Sequence, residues 1–268
     1  MNVLTIETVV VGLVVGAVSI AVGLAVEWAW PATDASQARP LFNLTLLAPT
    51  TILGALTAPL FGILTTLGVK ALGCGLLVLP SRGWGLIAGA AVYFLTMDGL
   101  EYAFHRAQHK IPALWAMHSL HHSDSAFNIS TTVRHFWADT LIKLGTIYLL
   151  AALIFKVDDR ILGIYWCMSF YNYFVHMNVR VGFGRFSWLL NAPQYHRLHH
   201  SRRAGDEGCN FAAHLPLFDV LCGAYRRPMP GDYPPTGLES GPTPSNLMDA
   251  LTWPLHTHAA GRLEDPAS

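Results

Sequence analysis

The chain has 268 residues, 52% hydrophobic and 13% charged, about half the charged share of an average soluble protein, and its formal net charge is zero. That balance excludes an ordinary soluble domain and a disordered tail, and the lack of a basic tract excludes a nucleic-acid partner. Four cysteines, at positions 74, 167, 209 and 222, share no paired spacing. This argues against a disulfide framework or a thiolate metal site and leaves them as small core residues.

In chain order, residues 1–30 are apolar apart from Asn2, a few hydroxyls, Glu7 and Glu27, and are long enough to cross a bilayer, which takes about 20 residues of helix. The segment has no basic leader and no cleavage site near 27–31, so it is read as a retained span. Residues 41–80 are uncharged except for Lys70. One span with an interfacial piece, or a tight hairpin around "APLFG", would each fit. Residues 84–103 form another apolar segment. A polar, histidine-rich stretch, 105–135, follows. Two more apolar segments, 136–155 and 161–176, are joined by the turn "KVDDR", although Asp139 and Lys143 lie near one end of the first. A basic stretch to Arg227 and a proline-rich tail complete the chain, with one short amphipathic helix expected near 247–255. The pattern predicts an all-α, multi-pass membrane bundle of four to six spans with a histidine-rich cap. It divides into N-terminal spans (1–90), a histidine-bearing region with further spans (91–225), and the tail (226–268). Arg106, Arg134, Arg180, Arg185, Arg197, Arg202, Arg203, Arg226 and Arg227 flank the histidine-rich stretches, which puts the cap on the cytoplasmic side.

The histidines carry the chemistry. The chain holds 13 of them, and random placement would give roughly 0.03 copies of His-x-x-His-His. It occurs twice, as His118, His121, His122 in "MHSLHHS" and as His196, His199, His200 in "YHRLHHS". Offsets of zero, three and four share one helical face, so each box offers three ligands to one side. His105 and His109, four apart in "EYAFHRAQHK", share a face too. His176, at the end of the last apolar segment, is a ninth candidate. A single zinc takes three or four protein ligands, so eight or nine histidines imply two metals. Imidazole suits zinc, copper, iron and nickel alike. His-Glu-x-x-His and Glu-x-x-His pairs are absent. His214, His256 and His258 fall outside the pattern and read as surface or loop residues. Trp115, Tyr102, Trp166, Tyr171 and Tyr173 read as packing or interfacial aromatics.

The order His-x-x-x-His, His-x-x-His-His, His-x-x-His-His between apolar helices resembles the fatty acid hydroxylase and sterol desaturase superfamily. "DGLEYAFHRAQH", "ALWAMHSLHHSDSAFNISTTVR" and "HMNVRVGFGRFSWLLNAPQYHRLHHSRR" resemble its three boxes. "CNFAAHLPLFDVLCGAY" resembles its closing signature through Asn210, Phe211, Asp219 and Gly223. The resemblance covers residues 96–225. Many relatives follow the second box with Arg-x-His-Pro, where this chain has Arg134, His135, Phe136, Trp137.

The resemblance implies a membrane oxidoreductase with two ferrous ions held by the nine histidines and O2 as co-substrate. It would hydroxylate or desaturate a lipid C–H bond in a fatty acyl, sterol-like, carotenoid or ether lipid. Asp98, Asn128, His135, Asn210 and Asp219 are implied as residues that orient the ligands. Neither a haem motif nor a flavin fingerprint occurs, so electrons are expected from a separate ferredoxin, rubredoxin or cytochrome. The expected location is the inner membrane of a bacterium or the endoplasmic reticulum of a eukaryote. A membrane metal-binding or transport protein is the alternative from another class, with ionisable residues expected near mid-span. A zinc hydrolase would need an open three-ligand site.

Overall fold

The computed structural model describes residues 6–34, 38–72, 75–239 and 243–259, and the described chain is mostly helical, with almost no sheet. α1 spans Ile6–Ala29, α2 Pro40–Leu72 and α3 Gly83–Lys110. α4 spans Pro112–His122, opened by a proline at the position where the missing N–H costs nothing. α5 (Trp137–Lys143), a π-turn at Leu144–Tyr148 and α6 (Leu149–Ile154) run on as one apolar rod.

Among the described residues, three rods are long and apolar enough to cross a bilayer: α1, α3 and Trp137–Ile154. On α1 the valines at 10, 11, 14, 18 and 22 are all at least half exposed, as a face in contact with hydrocarbon requires. α2 is one unbroken helix, so no hairpin forms at "APLFG". The expected span at 161–176 is broken at Phe170 into α7 (Asp159–Ser169) and α8 (Tyr171–Val175). Neither piece by itself reaches the length of about 20 residues that a crossing takes.

A parallel pair of two-residue strands, β1 (Leu77–Val78) and β2 (Phe155–Lys156), ties the α2–α3 connection to the α6–α7 connection. It lies at the start of α3, and His105 and His109 at its end, about 40 Å apart along a helix of this length. Around that lower end pack Leu79, Tyr93, Met97, Ala151, Phe155 and Ile161.

The histidine end is assembled from short elements. α9 (Pro193–His199) carries the third box, and α10 (Leu217–Leu221) follows it. α1 reaches this end so closely that a Cβ on Gly23 would lie 2.1 Å from Ile129 Cδ1. One turn on, buried Glu27 accepts hydrogen bonds from the backbone N–H groups of Ile129 (2.7 Å) and Asn178 (2.8 Å). The proline-rich strap lies over α9: Arg197 donates to Pro234 O, Gln194 to Met229 O and Asp232 O, and Arg202 N to Pro235 O. The amphipathic end expected near 247–255 forms α11 (Leu247–Leu251) and α12 (Trp253–Ala259), and buried Trp253 donates to Ser119 Oγ beneath the second box. Of the cysteines, Cys209 is buried whereas Cys167 and Cys222 are exposed, so the core reading holds only for the first, and Cys74 lies outside the described residues.

Candidate metal centre

The three boxes and His176 converge into two adjoining groups. His105, His109, His118, His122 and His199 form one; His121, His176, His196 and His200 form the other. Within each group the nearest ring nitrogens all lie within 4.8 Å of one another. The same-face reading of each His-x-x-His-His box is corrected here. His118 and His122, one full turn apart, serve the first group, and His121, rotated by about 100°, serves the second. The third box does the reverse: His196 and His200 serve the second group and His199 the first.

Several Nε2 atoms already stand where a common ion would draw them. His105 and His118 are 3.1 Å apart at Nε2, His121 and His176 3.2 Å, and His176 and His196 3.0 Å. Two nitrogens each about 2.1 Å from one ion lie about 3.0 Å apart when they subtend a right angle. Burial drives the imidazoles of His118, His121, His122, His196 and His200 well below the ordinary histidine range, and neighbouring imidazoles add to the effect. Burial pushes His199 down to about 4. Neutral rings offer lone pairs, as metal ligation requires. Nε2 of His109, His122, His199 and His200 is buried without a hydrogen-bond partner, an arrangement that costs about 1–3 kcal/mol apiece unless an ion takes it up. The donor set therefore fits two metal ions.

Backbone carbonyls, rather than the expected carboxylates, hold the outer ring nitrogens. His105 Nδ1 bonds Phe211 O (2.7 Å), His199 Nδ1 bonds Cys209 O (2.8 Å) and His176 Nδ1 bonds Asn172 O (2.6 Å). Between the first two carbonyls sits Asn210, the one non-glycine residue with positive φ (60°) among those described. Its side chain clasps the backbone of Arg226, and this bend is what turns both carbonyls toward the histidines.

Asp219 is fully buried and accepts from Phe211 N, Ala212 N and the Tyr195 hydroxyl, so it acts on the ligands through the loop and not by contact. Asp98 likewise bonds no box histidine. It accepts from His214 Nδ1 (2.8 Å), His214 N and Leu215 N. His214, read as a surface or loop residue, lies in a loop but is buried. His256 is exposed, and the His258 side chain lies outside the described set. Asn128 caps the 3-10 turn Ile129–Val133 through Ser130 N. His135 lies flat on His121, ring centroids 4.3 Å apart and planes 11° apart, and with His118 and Asp139 forms a third cluster of ligand-capable atoms.

Other residues that build the site carry weaker sequence signals. Buried Arg134 donates to Leu120 O, Ser123 Oγ and Asn43 Oδ1, while Asn43 and Thr131 donate to Asp124, so the end of the second box is locked to α2. Asn191 donates to Ala212 O and Ala213 O and steadies the carbonyl loop. Asn43, in a helix whose one charge is the distant Lys70, and Glu27, at the far end of an apolar helix from Glu7, were the signals available, since polar groups in such segments need partners.

A helical membrane protein with two adjoining, buried, all-imidazole groups falls in the class of membrane histidine-box proteins. The fatty acid hydroxylase family matches residues 90–224, half of the chain, and the chain belongs to that family. It is 27% identical over 133 residues to the alkylglycerol monooxygenase of Xenopus tropicalis, covering 49% of this chain and 29% of that protein. The human alkylglycerol monooxygenase is 28% identical over 134 residues, with the same coverage. The ornithine lipid hydroxylase OlsE of Rhizobium tropici is 30% identical over 131 residues, covering 47% of this chain and 38% of that one. The matches thus span 29% to 38% of these relatives' length. No solved structure matches the chain.

Proposed function

We propose that this chain is a membrane-bound di-iron oxidoreductase that uses O2 to hydroxylate a lipid C–H bond. The observation that supports it most is the pair of adjoining groups of five and four histidines, all buried except the half-buried His105 and His109, at one end of the membrane rods. Bound iron would supply the oxygen activation that no side chain here can provide. The relatives named above are a monooxygenase and a hydroxylase of lipids, which favours hydroxylation over desaturation. The balanced reaction takes R–H, O2, two electrons and two protons to R–OH and water. The electrons come from a separate donor of ferredoxin, rubredoxin or cytochrome type, and the arginine-flanked boxes face the cytoplasm, where such a donor is found.

The chain's own part is to hold and orient. The carbonyls of Phe211, Cys209 and Asn172 accept from Nδ1 of His105, His199 and His176, which fixes the tautomer and leaves each Nε2 lone pair pointing inward. The cap of α4, α9 and the strap keeps water from the rings. A transporter calls for ionisable groups along a path through the spans, whereas these histidines gather at one end of α3.

The test is turnover under 18O2 with a chemical or protein reductant, using iron-loaded protein and bacterial membrane lipid. One 18O atom should appear in a lipid alcohol. Oxygen drawn from water, or turnover by metal-free protein, would sink the reading.

A further inference from the structure

A surface cleft of ≈ 180 Å³ lies between α2 and α5, with Leu47 and Thr50 on one wall and His135, Asp139, Thr140 and Lys143 on the other. Its position is unusual in two ways. The α5 wall belongs to the first two turns of the rod Trp137–Ile154, so the cleft sits where the polar end of a bilayer-crossing helix meets its apolar length. His135, on the same side of the cleft, is also the ring that lies flat on His121. A lipid lodged with its head here and its chain along the rod would touch the edge of the metal centre.

Asp139 indicates what the head must offer. The residue is 4% exposed and its Oδ2 has no hydrogen-bond partner. The nearest basic atom, His135 Nδ1, is 3.5 Å away and not aligned to donate. Lys143, one turn on, is committed to Glu101 Oε2 at 2.7 Å. A buried carboxylate oxygen without a donor is costly, and the cleft is the side from which a donor can arrive. His118, His135 and Asp139 each place a ligand-capable atom within 4.8 Å of the others, so a donor on Asp139 would stand beside the first metal group as well.

We propose that this cleft seats the polar group of the substrate, and that Asp139 selects lipids whose head carries a hydroxyl or ammonium donor. The inference rests on the lipid-hydroxylase reading above. It adds a site and a chemical requirement to that reading.

The experiment measures binding to full-length, metal-loaded protein in nanodiscs with two probes, 1-O-hexadecylglycerol and its 2,3-di-O-methyl ether, which differ only in donors. The wild type should bind the diol at least about tenfold more tightly, the range of a hydrogen bond to a charged group. Asp139→Asn, which keeps the side chain's shape, should cut that preference below about threefold at unchanged metal content. Leu47→Trp, which fills the cleft without touching Asp139, should weaken the diol by about tenfold or more.

Equal binding of the two probes, no saturable binding of the diol, or a preference that survives Asp139→Asn would overturn the proposal. So would a third equivalent of metal that vanishes in Asp139→Asn, because the cluster would then be a cation site. If Asp139→Asn does not fold, unchanged binding in Leu47→Trp overturns it alone. Loss of the 18O result with the binding preference intact would strike the hydroxylase reading instead, so the two failures are separable.

Discussion

His122 and His200 lie ring on ring, centroids 4.2 Å apart and planes 15° apart, although each belongs to a different metal group. They are the last histidines of the two His-x-x-His-His boxes, brought together from α4 and the end of α9. Each box lends two rings to one group and one ring to the other. The two groups are therefore a single packed body, and a change at one ring is felt at both.

Metal content tests this division directly. Protein purified from iron-supplied cells should hold near two equivalents. His121→Ala with His196→Ala, both in one group, should leave about one equivalent; His122→Ala with His196→Ala, in different groups, should leave close to none. Close to none in both double variants would mean that each box serves one metal. Turnover should fall by roughly two orders of magnitude or more in His105→Ala, His121→Ala or His199→Ala, and stay near wild type in His256→Ala.

The carbonyl loop should be as sensitive as the ligands. Asp219→Ala strands two buried N–H groups and the Tyr195 hydroxyl, so thermal unfolding should register a loss of about 3–5 kcal/mol, and metal affinity should drop roughly tenfold to a hundredfold. An Asp219→Ala protein with wild-type melting and metal affinity would show that the loop does not position His105.

Metal-free protein should weaken in mild acid. Its buried imidazoles have folded pKa values below the ordinary 6.5, so they take up protons only on unfolding, and stability falls as pH drops through 6.5. Melting at pH 5.5 should lie more than about 5 °C below melting at pH 7.5, with a much smaller gap once metal is bound. A flat profile would mean that these rings are not held neutral.

Sidedness is open to thiol labelling. With native cysteines removed, Arg203→Cys should be shielded from an impermeant reagent in intact cells and Val157→Cys should react. The β1–β2 pair beside Val157 and the boxes lie at opposite ends of α3. Labelling at 203 from outside would invert the orientation.

The eight box histidines could be read from spacing because i, i+3 and i+4 are local relations that a helix enforces by itself, whereas His176 stood out only by its place at the end of an apolar segment. Which ring serves which group could not, because that depends on how α4 and α9 face each other across more than seventy residues. Asp98 and Asp219 were legible as important positions, yet their partners are backbone N–H groups and a distant His214, which no side-chain pattern records. The break at Phe170 was hidden because residues 161–175 carry no charge, and hydropathy does not register a break in a helix. Asp139 was visible only as a charge in an apolar segment. Its bare Oδ2 appears once α2 is placed beside α5.

Glu27 sets an order on the making of the protein. Its carboxylate finds its two donors 102 and 151 residues further along the chain. At about 5–20 residues per second of synthesis, α1 leaves the ribosome roughly 8–30 s before Asn178 does. Until then the carboxylate lacks the two donors it has in the fold, so the docking of α1 against the histidine end can be completed only after Asn178 has been made.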